Sequence, residues 1–201
     1  MPLWLLTVGA CSADAGDADR GAGDVSDANT AAAPASVACA DPRPTAGPGS
    51  QVVAVYFACG AAVPGQLHAA YRLVPTAADP IGAALAEMLR GPTDEERALG
   101  YRSLFSDRTS GMLNGVERST GGDTLTIDFA DFRDALAESP VPSSFLPGGV
   151  MADITWTVFR QFPDVQALRF TFDGDERAFW SWLAGEPAEP RVFTRADWEQ
   201  V

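Results

Sequence analysis

The sequence predicts an α+β domain with a mixed, largely antiparallel sheet and helices packed on one face of that sheet. Two hairpin patterns, over residues 51–74 and 112–129, each place two apolar segments around a turn. Two apolar stripes of helical period, beginning near residues 81 and 150, are interspersed with these strands. The resulting order, ββα(α)ββ(α)αβ, is typical of helices that cover a mixed sheet.

The first hairpin opens the domain. Residues 51–59 are apolar on both alternating faces and rich in β-branched and aromatic side chains, which predicts a central strand. Glycines at both ends of the segment 60–65 indicate a turn. Residues 67–74 then alternate in polarity and predict a second strand that pairs back on the first.

Two helices are predicted to follow the hairpin. Asp79 is a favourable N-cap, and Pro80 is suited to the first helical position. The Gly-Pro pair at 91–92 ends this helix. A capping box over 93–96 predicts a second, shorter helix immediately afterwards.

The second half of the domain continues with alternating strands and helices. Residues 177–183 alternate less regularly and are compatible with either a last strand or a helical turn. The preceding elements are predicted as a hairpin over 112–129, a helical turn over 131–138, a loop over 139–149, a helix over 150–162 and a strand over 165–172.

Composition excludes several classes of function. The chain has 201 residues, with 14 basic side chains, all arginine, against 27 acidic ones, for a net charge of −13. A nucleic-acid-binding surface is not expected, because phosphate contacts require clustered cations. The single histidine excludes a His-rich metal site, and no apolar run reaches the roughly 18–20 residues of a membrane span. We expect neither a cofactor nor a metal ion.

The first 50 residues predict an anchor and a spacer. Residues 1–11 are interpreted as a truncated lipoprotein signal segment, because small residues precede Cys11 as in a bacterial lipobox. Lipidation of Cys11 would hold the chain on the outer face of the cytoplasmic membrane; the alternative is a frayed apolar terminus with a free thiol. Residues 12–50, rich in Ala, Asp, Gly and Pro, predict a disordered tether, and 51–201 form the folded domain.

The other two cysteines suggest one disulfide. Disulfides persist outside the cytoplasm, and with Cys11 acylated only Cys39 and Cys59 remain to pair. Such a bridge would fasten the end of the tether to the first strand and stabilise the fold by roughly 3 kcal/mol. The alternative is two unpaired thiols, one of them inside a strand.

Polar side chains give no strong catalytic candidate. Asp128, Asp131 and Asp134 form a carboxylate cluster that would suit a glycoside hydrolase. Their spacing at the start of a helical turn favours a capping role instead. His68 is predicted to be an exposed surface residue, and residues 173–176 a tight turn rather than part of a calcium loop.

Aromatic residues concentrate near the C-terminus. Trp180 and Trp182 would share one face if their segment were a strand, and an exposed pair of indoles would suit a glycan or peptidoglycan ligand. Burial of both in the core is the more common arrangement.

The order of motifs resembles the GerMN domain of sporulation and spore-germination proteins. The most specific landmark is the run Leu89-Arg-Gly-Pro-Thr-Asp-Glu-Glu96, which follows the strand at 52–57 and an amphipathic helix. Residues 122–129 are similar to its strand ending in Ile-Asp-Phe, 154–163 to its penultimate helix and 194–198 to endings of actinobacterial members. The similarity extends over residues 51–175 and more loosely over 176–201.

The resemblance implies a function without catalysis. GerMN domains are compact modules of envelope lipoproteins, similar in shape to the ring-building modules of secretion and sporulation machines. They imply no catalytic residue and no cofactor. We therefore expect a non-enzymatic lipoprotein that binds or assembles with envelope or spore-associated proteins, with homo-oligomerisation as one form of assembly.

Overall fold

The strands and helices were located in a computed structural model that describes residues 39–60, 66–137 and 146–199. The strands of this part are β1 (Ser50–Cys59), β2 (Gln66–Pro75), β3 (Tyr101–Arg102), β4 (Leu113–Arg118), β5 (Thr124–Phe129), β6 (Ala167–Phe172) and β7 (Phe193–Thr194). The helices are α1 (Pro80–Leu89), α2 (Asp94–Ala98), α3 (Arg133–Ala137), α4 (Leu146–Phe159), α5 (Glu176–Ala184) and α6 (Arg195–Trp198).

These strands form two sheets. The first has the order β2-β1-β3 and is antiparallel throughout, with β1 and β2 paired from Ser50–Pro75 to Cys59–Gln66. The second has the order β4-β5-β6-β7, in which only the β5–β6 pair is parallel. The α+β class and the predominantly antiparallel pairing are thus confirmed, although the sequence suggested one sheet rather than two.

Side chains near the end of α4 cover part of the free edge of β1. Beyond its last two residues, where β3 pairs, this edge is occupied by Thr157 of α4 and by Gln161 of the turn that follows α4. A strand edge whose backbone groups are already satisfied by side chains does not extend into a further ladder at those residues.

The local signals for helix starts are confirmed. Asp79 accepts a hydrogen bond from the Gly82 N–H at 2.7 Å, and Pro80 is the first residue of α1. The segment 177–183 is helical, because Asp175 caps α5 by accepting from the Ala178 N–H at 3.0 Å. Helix α4 begins at residue 146, inside the segment predicted as a loop.

The larger of two hydrophobic clusters in the described residues lies between the helices and the sheets. The inward faces of β5 and β6, the apolar stripe of α1 and the buried face of α4 meet there, together with Phe132 and Phe179. The buried side chains contributed by β5, β6, α1 and α4 include Leu125, Ile127, Phe129, Leu168, Phe170, Ile81, Leu85, Met88, Val150, Ile154 and Val158. None of the described helices combines the length and apolar character needed to cross a membrane.

Candidate functional site

The landmark run 89–96 forms a tight connection between α1 and α2. Gly91 has a φ of +73°, and a Cβ placed on it would lie 2.2 Å from the carbonyl oxygen of Phe105. Only glycine fits this backbone, since any other residue would meet both the left-handed conformation and a fixed carbonyl group. The glycine of the run is therefore required by the close approach of two loops.

The threonine and the glutamate of the same run cap α2. Thr93 Oγ1 accepts from the Glu96 N–H at 3.2 Å, and Glu96 Oε2 accepts from the Thr93 N–H at 2.8 Å. Glu96 also receives both guanidinium arms of Arg72 on β2, one of them at 2.6 Å. Because both side chains are buried, this bidentate pair fixes α2 against the first sheet.

Two side chains at the end of α4 take the place of a strand beside β1. Gln161 Oε1 accepts from the Ala54 N–H at 2.7 Å, and Gln161 Nε2 donates to the Ala54 carbonyl. Thr157 Oγ1 accepts from the Tyr56 N–H at 3.1 Å. Thr157 and Gln161 are spaced i, i+4 and so project from the same side of the helix end.

A cleft of about 380 Å³ opens beside this edge. We call it the Arg43–Arg160 cleft, since these two arginines contribute to its lining. Other residues that line it include Val52, Tyr56, Tyr71 and Gln161. It therefore lies between the free edge of β1, the end of α4 and the segment that precedes β1.

Hydrogen-bond donors dominate the polar lining of the Arg43–Arg160 cleft. The Arg43 guanidinium lies 5.6 Å from the Tyr71 ring centroid, and that of Arg160 lies 4.5 Å from the Trp156 centroid. Within the described residues, neither guanidinium forms an ion pair and neither phenol hydroxyl of Tyr56 and Tyr71 makes a hydrogen bond. Burial and the neighbouring Tyr71 raise the pKa of Tyr56, partly offset by Arg160, so the phenol remains a donor at neutral pH.

The segment before β1 is held against the first sheet at two points. A disulfide joins Cys39 to Cys59, the last residue of β1, as the sequence suggested. Asp41 Oδ2 accepts from the Tyr71 N–H at 2.8 Å and so satisfies the outer edge of β2. Residues 39–43, which we assigned to the tether, thus contact the domain, and Arg43 is positioned at the cleft as a result.

Cys11 and most of the predicted tether lie outside the described residues. The assignments of a signal segment over 1–11 and of a lipid anchor on Cys11 therefore stay predictions.

The idea of two exposed indoles is wrong. Trp180 and Trp182 lie on helix α5, where residues two apart project in different directions. Trp180 is only 3% exposed, and Trp182 packs against the core next to Phe132 and Phe172. Because the apolar face of α5 covers the second sheet, Trp180 and Trp182 pack against the core and do not form an exposed pair on which a sugar could stack.

The aspartates considered for hydrolysis have separate structural tasks. Burial raises the pKa of Asp128, but hydrogen bonds from Thr171, Gly174 N–H and Asn114 outweigh it and the pKa lies below its usual value. Asp131 is engaged by the Arg133 side chain, which lowers its pKa, and by the Arg133 N–H at 3.1 Å.

These contacts favour structural roles over a catalytic pair, although of the two aspartates only Asp131 lies at the helix start where capping was expected. Asp128 fixes the turn after β6, and Asp131 fixes the start of α3. A general acid needs a raised pKa, whereas both of these carboxyl groups have lowered ones. Residues 173–176 form the expected turn, in which Asp173 has a φ of +49°.

His68 lies on β2 opposite Phe57 and is half-buried rather than fully exposed. Over the described ranges, no group of three or more His, Cys, Asp and Glu side chains is arranged to hold a metal ion.

One buried carboxyl group escaped the sequence analysis. Asp153 on α4 is 4% exposed, and its Oδ2 accepts from Ser103 Oγ at 2.6 Å. Burial raises its pKa to about 8, against the smaller opposing effect of the Ser103 hydrogen bond. The sequence did contain a signal for this site, because Asp153 is a charged residue among the apolar positions of the helix predicted over 150–162.

The cleft residues were also missed. Arg43 and Arg160 come from distant parts of the chain, so nothing in local spacing relates them. Thr157 and Gln161 carried a weak signal, since a polar i, i+4 pair among the apolar residues near a helix end suggests a specific hydrogen-bonding partner.

Comparisons with known proteins agree with the resemblance. A family model described as Germane, sporulation and spore germination, matches residues 54–178. Among solved structures, the tandem GerMN domains of the sporulation protein GerM from Bacillus subtilis are similar, with 20% sequence identity and a TM-score of 0.45. That match covers 66% of this chain and 43% of the other chain, so less than half of the relative's length is represented. No curated protein matches.

Proposed function

This chain belongs to the Germane family of sporulation and spore-germination domains, and from that premise we propose that it is a non-catalytic module of the cell envelope. Its domain binds or assembles with envelope or spore-associated proteins. The tether and the lipidated Cys11 keep it on the outer face of the cytoplasmic membrane.

The observation that carries the proposal is the structural role of the most specific motif, the run 89–96. Gly91 permits a close approach of two loops, Thr93 and Glu96 cap a helix, and Glu96 pairs with Arg72. Each of these residues acts on the fold and none is directed at a reacting group. A motif of this kind preserves a shape, and a preserved shape is what a binding or assembly module requires.

The disulfide supports a location outside the cytoplasm. Cys39 and Cys59 are joined across a separation of 20 residues. Such bridges are rare where thiols are kept reduced and common in exported proteins. The anchor itself is tested by Cys11→Ala, which should move the full chain from the membrane fraction to the soluble or secreted fraction. Unchanged membrane association would contradict lipidation at this residue.

In-cell photo-crosslinking tests the binding role. A photoreactive residue is placed in the full-length protein at Leu73, a large apolar side chain that is 53% exposed, and a matched one at the buried Val55. We expect discrete crosslinked species from Leu73 or from other exposed positions such as Arg118, and none from Val55. The mass and composition of each crosslinked species show whether it contains a partner protein or a second copy of this chain.

Two results would overturn the proposal. The first is the absence of crosslinks from all exposed positions while the protein is present at the membrane. The second is a substrate-turnover activity that is lost on changing one side chain without loss of the fold.

A further inference from the structure

We infer that the Arg43–Arg160 cleft binds an extended acidic segment of a partner protein. This inference rests on the proposed function, because it names the chemistry of the partner and the surface that receives it. It assigns the two arginines to carboxylate recognition.

The first argument is the balance of donors and acceptors in the cleft. Arg43 and Arg160 offer guanidinium donors, and Tyr56 and Tyr71 offer phenol hydroxyls. No carboxylate contributes to the lining. Since arginine and tyrosine side chains donate to anionic oxygens, a ligand that carries carboxylates satisfies this lining.

The second argument is a contrast with other arginines of the same molecule. Arg118 pairs with Asp164 at 2.9 Å, and Arg177 pairs with Glu189 at 2.8 Å, both on exposed surface. In the described part of the chain, Arg43 and Arg160 lie over aromatic rings and form no ion pair. Asp41 is close in sequence, but its carboxylate accepts from the Tyr71 N–H and forms no ion pair with Arg43.

The third argument is the setting of this positive site in a strongly acidic protein. The chain carries a net charge of −13, so most of its surface repels an acidic partner. A cleft whose two guanidinium groups have no ion-pair partner among the described residues is then a place where such a partner is attracted and correctly oriented. The aromatic rings beneath the cations hold the guanidinium planes in place at little entropic cost.

The spread of the donors indicates a peptide rather than a small free anion. They come from the segment before β1, from β1, from β2 and from the turn after α4. The Ala54 and Tyr56 N–H groups are already used on Gln161 and Thr157, so recognition rests on side-chain donors. An extended segment that carries several carboxylates can reach donors placed on four separate segments. The volume of about 380 Å³ is enough for a short segment and lies in the range of specific sites.

The experiment selects ligands from a displayed library of random heptapeptides, with the full-length chain as bait. The test variants are Arg43→Gln, Arg160→Gln and their combination. Arg102→Gln, an exposed arginine that does not line the cleft, is the matched control. Each variant is checked for an unchanged unfolding midpoint before use.

We expect enrichment of peptides rich in Asp and Glu. Their affinity should fall at least tenfold in the double variant, remain within about twofold in Arg102→Gln and decrease with added salt. Replacing the acidic residues of a selected peptide by Asn and Gln should abolish binding. Sodium tripolyphosphate and vesicles of phosphatidylglycerol serve as competing anions.

Several outcomes would overturn the inference. These are no enrichment, enrichment of non-acidic peptides, equal binding by the double variant, or tight binding of tripolyphosphate or the vesicles with no binding of peptides. The in-cell crosslinks separate this result from the proposed function. Crosslinks that persist in the double variant would refute the cleft as the docking site while leaving a binding module intact.

Discussion

Arg72 of β2 donates both arms of its guanidinium group to Glu96, the same residue that closes the capping box of α2. The two side chains are 12% and 6% exposed, so the pair lies almost entirely out of water. One glutamate thus connects the local start of a helix to a strand 24 residues earlier. The landmark run of the family is therefore explained by this contact and by Gly91.

Removing the charge of Glu96 should destabilise the domain. Glu96→Gln keeps a side chain that can still close the capping box but loses the bidentate ion pair, which leaves Arg72 only its longer ion pair with Glu87 at 3.7 Å. We expect the free energy of unfolding to fall by about 1.5–3 kcal/mol, measured by urea denaturation. Glu95→Gln, on the exposed side of α2, should change it by less than about 0.5 kcal/mol. Equal effects of the two substitutions would contradict the assigned role.

Substitutions of Gly91 and Gly111 distinguish the cost of a left-handed backbone from the cost of a steric clash. Gly91 and Gly111 have φ values of +73° and +79°, but only Gly91 faces a nearby backbone atom. Gly111→Ala should cost about 1–2 kcal/mol because of the left-handed conformation alone. Gly91→Ala should cost clearly more, since its Cβ meets the Phe105 carbonyl. Thermal denaturation of both variants gives the comparison, and equal losses would remove the steric argument.

Loss of the disulfide should weaken the fold without abolishing it. Opening the loop between Cys39 and Cys59 is expected to lower the free energy of unfolding by roughly 3 kcal/mol. The variant Cys39→Ala/Cys59→Ala and the reduced wild-type protein should agree, and Cys11→Ala should match the wild type. Mapping of non-reduced digests provides a direct check, because two separately alkylated thiols at 39 and 59 would disprove the bridge.

Asp153 should make stability depend on pH in an unusual direction. Its pKa rises from 3.8 to about 8 on folding, so the folded state binds a proton that the unfolded state releases. Its contribution to stability is therefore complete below about pH 4 and is lost as the pH rises towards 8, by up to about 1.4 kcal/mol per pH unit.

The comparison of wild type with Asp153→Asn isolates this effect. Asparagine has the same shape and can still accept from Ser103, but it does not titrate. The difference in unfolding free energy between the two proteins, measured by urea denaturation at pH 5.5, 6.5 and 7.5, should move in favour of the variant as the pH increases. A difference that is constant with pH would show that Asp153 is charged in the folded state.

Gln161 should protect the edge of β1. Gln161→Ala leaves the N–H and the carbonyl of Ala54 without partners, which is expected to cost about 1–3 kcal/mol for each group that water does not reach. Gln166→Ala is the control, because the Gln166 side-chain amide donates to the Pro163 carbonyl in an exposed contact. Hydrogen exchange of the Ala54 amide should accelerate in the first variant and not in the second.

Local signals in the sequence predicted most of the elements because they act over a few residues. Asp79-Pro80 and the capping box at 93–96 are complete within one helical turn, and both appear as predicted. The segment 177–183 left two alternatives open, and the Asp175 cap decided for a helix. Trp180 and Trp182 could not be placed from the sequence, because whether they share a face depends on that decision.

The amino-acid sequence by itself predicted the α+β class, the hairpins, the helix starts and the resemblance that the family match confirms, and it favoured the pairing of Cys39 with Cys59 over two free thiols. Only the tertiary structure decided that the strands separate into two sheets, that α4 satisfies the edge of β1 through Thr157 and Gln161, and that Arg43 and Arg160 meet at one cleft. The physical reason is the distance along the chain over which each kind of interaction acts. Caps, turns and periodicity are set by neighbours along the chain, whereas edge satisfaction, burial and charge placement depend on which distant segments pack together.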